Sequence, residues 1–228
     1  MDIKWASVAL TLLTLFNVNT SNANEIYISQ VGDNLSLQMQ QRSVDNYVSF
    51  SSNGDDNTVT IYQGMHADGT VDLDETGGHE AYWTITGTSN ILLSTQTDTN
   101  RGGGGGAPHH LANIISGDYN DVEHTQMGKA GHDGFIEISG DSNTVDLYQR
   151  GNGGQQWADI VLDGDNHSVT ATQRGTMAHS LALDLTNGGG AYTVNTTQTT
   201  NNTVTQKSYS LTGICTNASG CAVTVSQN

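Results

Sequence analysis

A glutamine recurs along this chain at Gln40, Gln63, Gln96, Gln126, Gln149, Gln173, Gln198 and Gln227, in steps of 23, 33, 30, 23, 24, 25 and 29 residues. A period of this length marks a copied unit that is too small to bury a face by itself and must stack on its neighbours. The clearest copy reads Gly140, Asn143, Val145, Leu147, Gln149, Gly151. The same frame returns as Gly117, Asn120, Val122, Gln126, Gly128, as Gly54, Asn57, Val59, Gln63, Gly64, and as Gly87, Asn90, Leu92, Gln96. Weaker copies run Gly164, Asn166, Val169, Gln173, Gly175, then Val194 with Gln198. An early copy lies around Gly32, Asn34 and Gln40, and Val223, Val225 and Gln227 end the chain. Eight units result, two of them lengthened by insertions near residues 65–80 and 98–108.

Each period holds a second short run before its glycine turn, such as Phe135-Ile136-Glu137-Ile138, Ala158 to Leu162, Leu181 to Leu185, Trp83-Thr84-Ile85 and Ile114-Ile115. Both kinds of run alternate in polarity over four to six residues and are bounded by Gly, Asn and Asp, which is a strand pattern. The alternation points Val145, Leu147 and Gln149 to one face and Thr144, Asp146 and Tyr148 to the other. The expected fold is all-β: a β-solenoid of about eight stacked strand-turn-strand-turn repeats, with a period of about 23 residues.

Composition then makes sense. Leu, Ile, Val and Phe make up 46 of the 228 residues and the net charge is −16, values that border on those of disordered chains. A two-stranded slice needs only a few apolar residues, so a thin stacked core suits this shortage. The 23 acids against 7 bases argue against nucleic acid and anionic membrane as partners. The amides also find a use. In-register copies place Gln63, Gln96, Gln126, Gln149, Gln173 and Gln198 about 4.8 Å apart, each donating to one neighbour and accepting from the other. Gln40 and Gln227 would end this ladder. Asn57, Asn90, Asn120 and Asn143 would form a second one at the turns, with the glycine three residues earlier supplying positive φ.

The N-terminus reads as an export signal. Lys4 precedes a mostly apolar stretch from Trp5 to Val18, and Ser21-Asn22-Ala23 supplies small residues at the cleavage positions. Residues 1–23 are thus a signal peptide and 24–228 the repeat domain. The apolar stretch is too short to span a bilayer, and no second one follows to insert in a membrane. Cys215 and Cys221, with five residues between them, suit a small disulfide loop in an oxidising compartment, or two free thiols.

Asn143-x-Val145-x3-Gln149-x-Gly151 and Asn120-x-Val122-x3-Gln126-x-Gly128 resemble stretches of the curlin repeat, found in the subunits of curli, the functional amyloid fibres of bacterial surfaces. Gln30-x-Gly32-x-Asn34 is a shortened match. The resemblance implies a secreted, extracellular fibre subunit, exported through an outer-membrane pore and polymerised on itself with the help of a nucleator, for adhesion and biofilm matrix. The chain departs from that family where Ile85, Ile115, Ile138 and Leu162 stand in place of a second glutamine, and in its insertions and cysteine pair.

Other candidates are weaker. Asp68, Asp72, Asp74 and Glu75 in the insertion lack a calcium-loop frame and read as a solvated acidic loop. Gly102 to Gly106 lacks a phosphate-loop ending. His66, His79, His109, His110, His132, His167 and His179 show no structural zinc spacing and are expected at the surface, whereas alternation turns His124 inward between Val122 and Gln126. No cofactor or metal site is expected. No nucleophile motif occurs, so an enzyme, conceivable only through paired acids such as Asp72 and Asp74, is disfavoured. The alternative function is a soluble solenoid that binds ice or another surface through Thr58-x-Thr60, Ser168-x-Thr170-x-Thr172 and Thr193-x-Asn195-x-Thr197, rows interrupted by Asp121, Glu123 and Asp146.

Overall fold

In the computed structural model the described residues are 25–42, 45–64, 77–98, 106–184, 192–200, 207–210, 212 and 221–227. The proposed signal peptide, the acidic residues of the first insertion, His66, the glycine run 102–105 and Cys215 lie outside them. Every named element is a strand, and among the described residues no helix is long and apolar enough to cross a membrane.

The strands form two parallel sheets. One contains β1 (Glu25–Val31), β3 (Tyr47–Asn53), β5 (Glu80–Thr86), β7 (His110–Ser116), β9 (Asp133–Ile138) and β11 (Ile160–Val161), paired in that order. The other contains β2 (Ser36–Gln41), β4 (Thr58–Gln63), β6 (Ile91–Thr97), β8 (Asp121–Met127), β10 (Thr144–Gly151), β12 (Ser168–Gly175), β14 (Tyr192–Thr200) and β16 (Cys221–Gln227), also in order. A further pair, β13 (His179–Ala182) with β15 (Lys207–Ser210), is joined toward the first sheet by a bridge between Gln156 and His179. Successive strands alternate between sheets, so each chain segment makes one rung, and rungs stack by parallel pairing. This is the β-solenoid expected from the repeat.

Register follows the pleat. In β10 the inward Val145, Leu147 and Gln149 are buried and Thr144 and Asp146 are exposed. β8, β10 and β12 align Val122, Val145 and Val169, then His124, Leu147 and Ala171, then Gln126, Gln149 and Gln173. The core is a single file of such layers between the sheets, from Leu37 and Val48 at one end to Val194 at the other. A one-residue slip would turn every apolar side chain outward, so the pattern itself fixes the stacking.

The turn between the sheets explains the glycines. Gly87 has φ +133°, and a Cβ there would lie 2.0 Å from the carbonyl oxygen of Gly117 on the next rung. Two residues later the chain passes through the left-handed region at Asp56, Ser89, Tyr119, Ser142 and Asn166, all with φ near +60°. Short polar side chains suit that conformation and tyrosine does not.

Candidate functional site

The interior carries three stacked ladders of polar side chains, all set by one frame. Taking the buried turn residue (Asn57, Asn90, Asn120, Asn143) as zero, a glutamine stands at +6 and a third polar residue at −11.

In the glutamine ladder, Gln41 Nε2 donates to Gln63 Oε1 (2.7 Å), Gln63 to Gln96 (2.9 Å), Gln96 to Gln126 (2.9 Å) and Gln126 to Gln149 (3.0 Å). Gln198 Nε2 donates to Gln173 Oε1 at 3.1 Å. The same amides reach across the core: Gln126 Nε2 also donates to the carbonyls of His110 and His132, each at 3.0 Å. Gln63, Gln96 and Gln149 make the equivalent pairs of bonds, and Gln173 reaches Trp157 O. Gln63, Gln96 and Gln126 therefore each tie their own rung to the next and one sheet to the other, which is how a fully buried amide is accommodated. Gln40 is not a member. Register pairs it with Tyr62, while Gln41 pairs with Gln63, because the ladder residue falls nine after the turn glycine and Gly32 sets that place at 41. The backbone of Gln227 pairs with that of Gln198.

At the turns, the backbone N–H of Asn90, Asn120 and Asn143 each donates to the side-chain oxygen of the asparagine before it, at 2.9 Å in every case. The Nδ2 of Asn57, Asn90 and Asn143 donates to Gly87, Gly117 and Gly164 O on the following rung. The next place belongs to His167, whose N–H donates to Asn143 Oδ1 (2.8 Å). Asn166, the asparagine singled out in that weaker copy, instead occupies the left-handed position before it.

The third ladder overturns the expectation of surface histidines. Asn46, His79, His109, His132 and Gln156 stack at −11, the last counted from His167, and His179 continues the file through its bridge to Gln156; all are essentially buried. The rings of His79 and His109 lie 4.9 Å apart at 7°, and those of His109 and His132 4.9 Å apart at 17°. His79 N donates to Asn46 Oδ1, His109 N to His79 Nδ1 (3.1 Å), His132 N to His109 Nδ1 (3.1 Å) and Gln156 N to His132 Nδ1 (3.2 Å). On the other edge, Nε2 of His109, His132 and His179 faces Thr97 O, Met127 O and Arg174 O. An Nδ1 that accepts an N–H cannot carry a proton, so these partners assign neutral, Nε2-protonated rings. Burial pushes His109 well below the ordinary histidine range, with His79 and His132 adding to the effect, and takes His132 down to about 4.

Of the other histidines, His110 is half-exposed and meets Glu80 at 3.0 Å. His167 is buried in the turn, and burial lowers its pKa. His124 is buried as alternation requires, and burial lowers it to about 3. Its ring takes the space of a missing side chain, since a Cβ on Gly134 would lie 2.5 Å from His124 Cε1.

The −11 signal was present in the sequence as a constant spacing. It is hard to see from the glutamines because the insertions fall between the +6 and −11 positions. His79, Asp98 and His109 bring ligand atoms within 4.8 Å of one another. Two nearly parallel rings at this spacing aim their nitrogens side by side rather than at one point, unlike the convergent tetrahedron of zinc, so as folded the group is a hydrogen-bonded ladder.

These features define a class, a two-sheet parallel β-solenoid with amide and imidazole ladders in its core. Within it, residues 140–175 match the family model described as the curlin associated repeat. The matched segment runs from the turn before β10 to the end of β12 and holds two members of the glutamine ladder, Gln149 and Gln173. Comparisons with curated proteins and with solved structures found no match.

Proposed function

We propose that the protein is a structural subunit of an extracellular, curli-like fibre, not an enzyme, and that it polymerises by adding the terminal rung of one copy to the terminal rung of the next. The observation that carries this reading is that, among the described residues, nothing covers the β1 end of the stack. Ile28 occupies a place whose neighbour on the next rung is Phe50, yet Ile28 is 40% exposed and Phe50 2%. Gln41 Oε1, at the same end of the stack, is buried without a hydrogen-bond partner. A parallel strand from another copy would cover Ile28 and complete the backbone pairing that a free edge leaves open. The addition is head to tail and does not close, so it gives filaments.

The curlin repeat supports export to the bacterial surface and a role in adhesion and biofilm matrix, with a nucleator subunit and an outer-membrane pore as further partners. Gln41, Gln63, Gln96, Gln126, Gln149, Gln173, Gln198 and Gln227 and the asparagine row would then run on through the fibre. Incubating the chain from residue 24 onward with thioflavin T, with electron microscopy of the product, tests the reading. Dye-positive filaments support it, and a permanently monomeric, dye-negative protein overturns it. Ice-growth inhibition by such a monomer would favour the alternative, for which Ser168, Thr170 and Thr172 beside Thr193, Asn195 and Thr197 are the relevant array.

A further inference from the structure

The chain has 7 basic residues and a net charge of −16, yet two arginines stand directly over one another. Arg150 on β10 pairs in register with Arg174 on β12, and both side chains are exposed. Like charges on adjacent strands repel, and neither guanidinium has an ion pair among the described residues. Arg174 instead rests over the Tyr148 ring, 5.9 Å from its centroid, which holds its fork in place beside Arg150.

The two side chains border a cavity of about 320 Å³ at the corner where β10 and β12 end, together with Asn152, Thr176 and Thr199. Gly151 keeps this corner narrow: a Cβ there would lie 2.7 Å from Gly175 O. The volume is at the small end for ligand sites. Its lining combines two planar, bidentate cationic donors with an amide and hydroxyls, which is the chemistry that recognises a carboxylate or sulfate flanked by hydroxyl groups.

We propose that this corner is a binding site for an acidic saccharide, the anionic group lying across Arg150 and Arg174 and neighbouring sugar hydroxyls meeting Asn152, Thr176 and Thr199. The site uses three successive rungs of one copy, ending in β10, β12 and β14, so it does not depend on fibre formation.

The test is equilibrium binding of fluorescently labelled oligosaccharides to the chain from residue 24 onward. A uronate oligomer, a sulfated oligomer and a neutral oligomer of equal length serve as probes. Saturable binding of either charged oligomer, absent for the neutral one, is expected. Arg150→Gln and Arg174→Gln should each weaken it about tenfold or more, the scale of a lost charged hydrogen bond. Arg42→Gln, on a distant rung, should leave it unchanged. Circular dichroism confirms that the variants retain the strand fold. Binding of neither charged oligomer, equal binding of the neutral one, or an equal loss in Arg42→Gln would overturn the proposal.

Discussion

Replacing His132 by glutamine should leave the fold intact at neutral pH and remove part of its sensitivity to acid. The protein already contains the replacement: Gln156 takes the same ladder place one rung on, its Nε2 donating to Arg150 O at 3.0 Å as His132 Nε2 faces Met127 O at 3.0 Å. The folded pKa of His132 is lowered to about 4 from an ordinary 6.5. Between those values the unfolded chain binds a proton that the folded chain refuses, so stability falls as pH drops. It is fully present above about 6.5 and falls by about 1.4 kcal/mol per pH unit for this one group, a total of about 3 kcal/mol by pH 4. Below that the folded form is protonated too and the loss levels off. His109 and His124, both buried and lowered, act in the same direction. Glu123 acts oppositely, because burial and the nearby Asp146 and Asp121 raise its pKa, so protonation relieves it. Comparing wild type with His132→Gln cancels the Glu123 contribution and reads His132 together with its coupling to His109 and His124, which acts in the same direction. Urea unfolding at intervals from pH 7.5 to 4 should give midpoints that diverge steadily below pH 6.5, with the variant the less acid-sensitive. Parallel curves would refute the assignment of His132 as a neutral, proton-refusing member of the ladder.

Other outcomes follow from the turns. Asn120→Ala removes the acceptor for Asn143 N–H and the donor to Asn90 Oδ1, and should cost about 1–3 kcal/mol in urea unfolding, the penalty of leaving a buried group unsatisfied. Gly87→Ala meets both positive φ and a 2.0 Å approach to Gly117 O, so the expected result is loss of the cooperative unfolding transition or severe destabilisation. Tyr119, at φ +59° and 66% exposed, works the other way. Tyr119→Gly should raise stability by about 1 kcal/mol by relieving left-handed strain, measured as a higher thermal midpoint.

The repeat made the fold legible because stacking imposes a fixed frame: in-register valines and glutamines must recur at one spacing if they are to meet. What the sequence concealed was which residue types fill that frame. Gln40 stands at the ladder offset from Asn34, but Leu35 holds the buried turn place and shifts the glutamine to Gln41. Asn166 lost its place to His167 for the same reason, since both types tolerate a turn and only the offset from Gly164 distinguishes them. The histidine ladder was missed for a physical reason. An isolated histidine is normally solvated, and only stacking on a neighbouring copy supplies the N–H donor and carbonyl acceptor that make burial of His79, His109 and His132 tolerable. The arginine corner was equally hidden, because Arg150 and Arg174 are 24 residues apart until the rungs stack.

The central claim is that the stack of one copy continues into the next. X-ray diffraction from aligned filaments of the chain beginning at residue 24 tests it most directly. Continuous in-register stacking predicts a sharp meridional reflection near 4.8 Å and an equatorial one near 10 Å, about the spacings between strands and between sheets. A protein that sediments as a monomer at all concentrations, or filaments lacking the 4.8 Å meridional reflection, would contradict it.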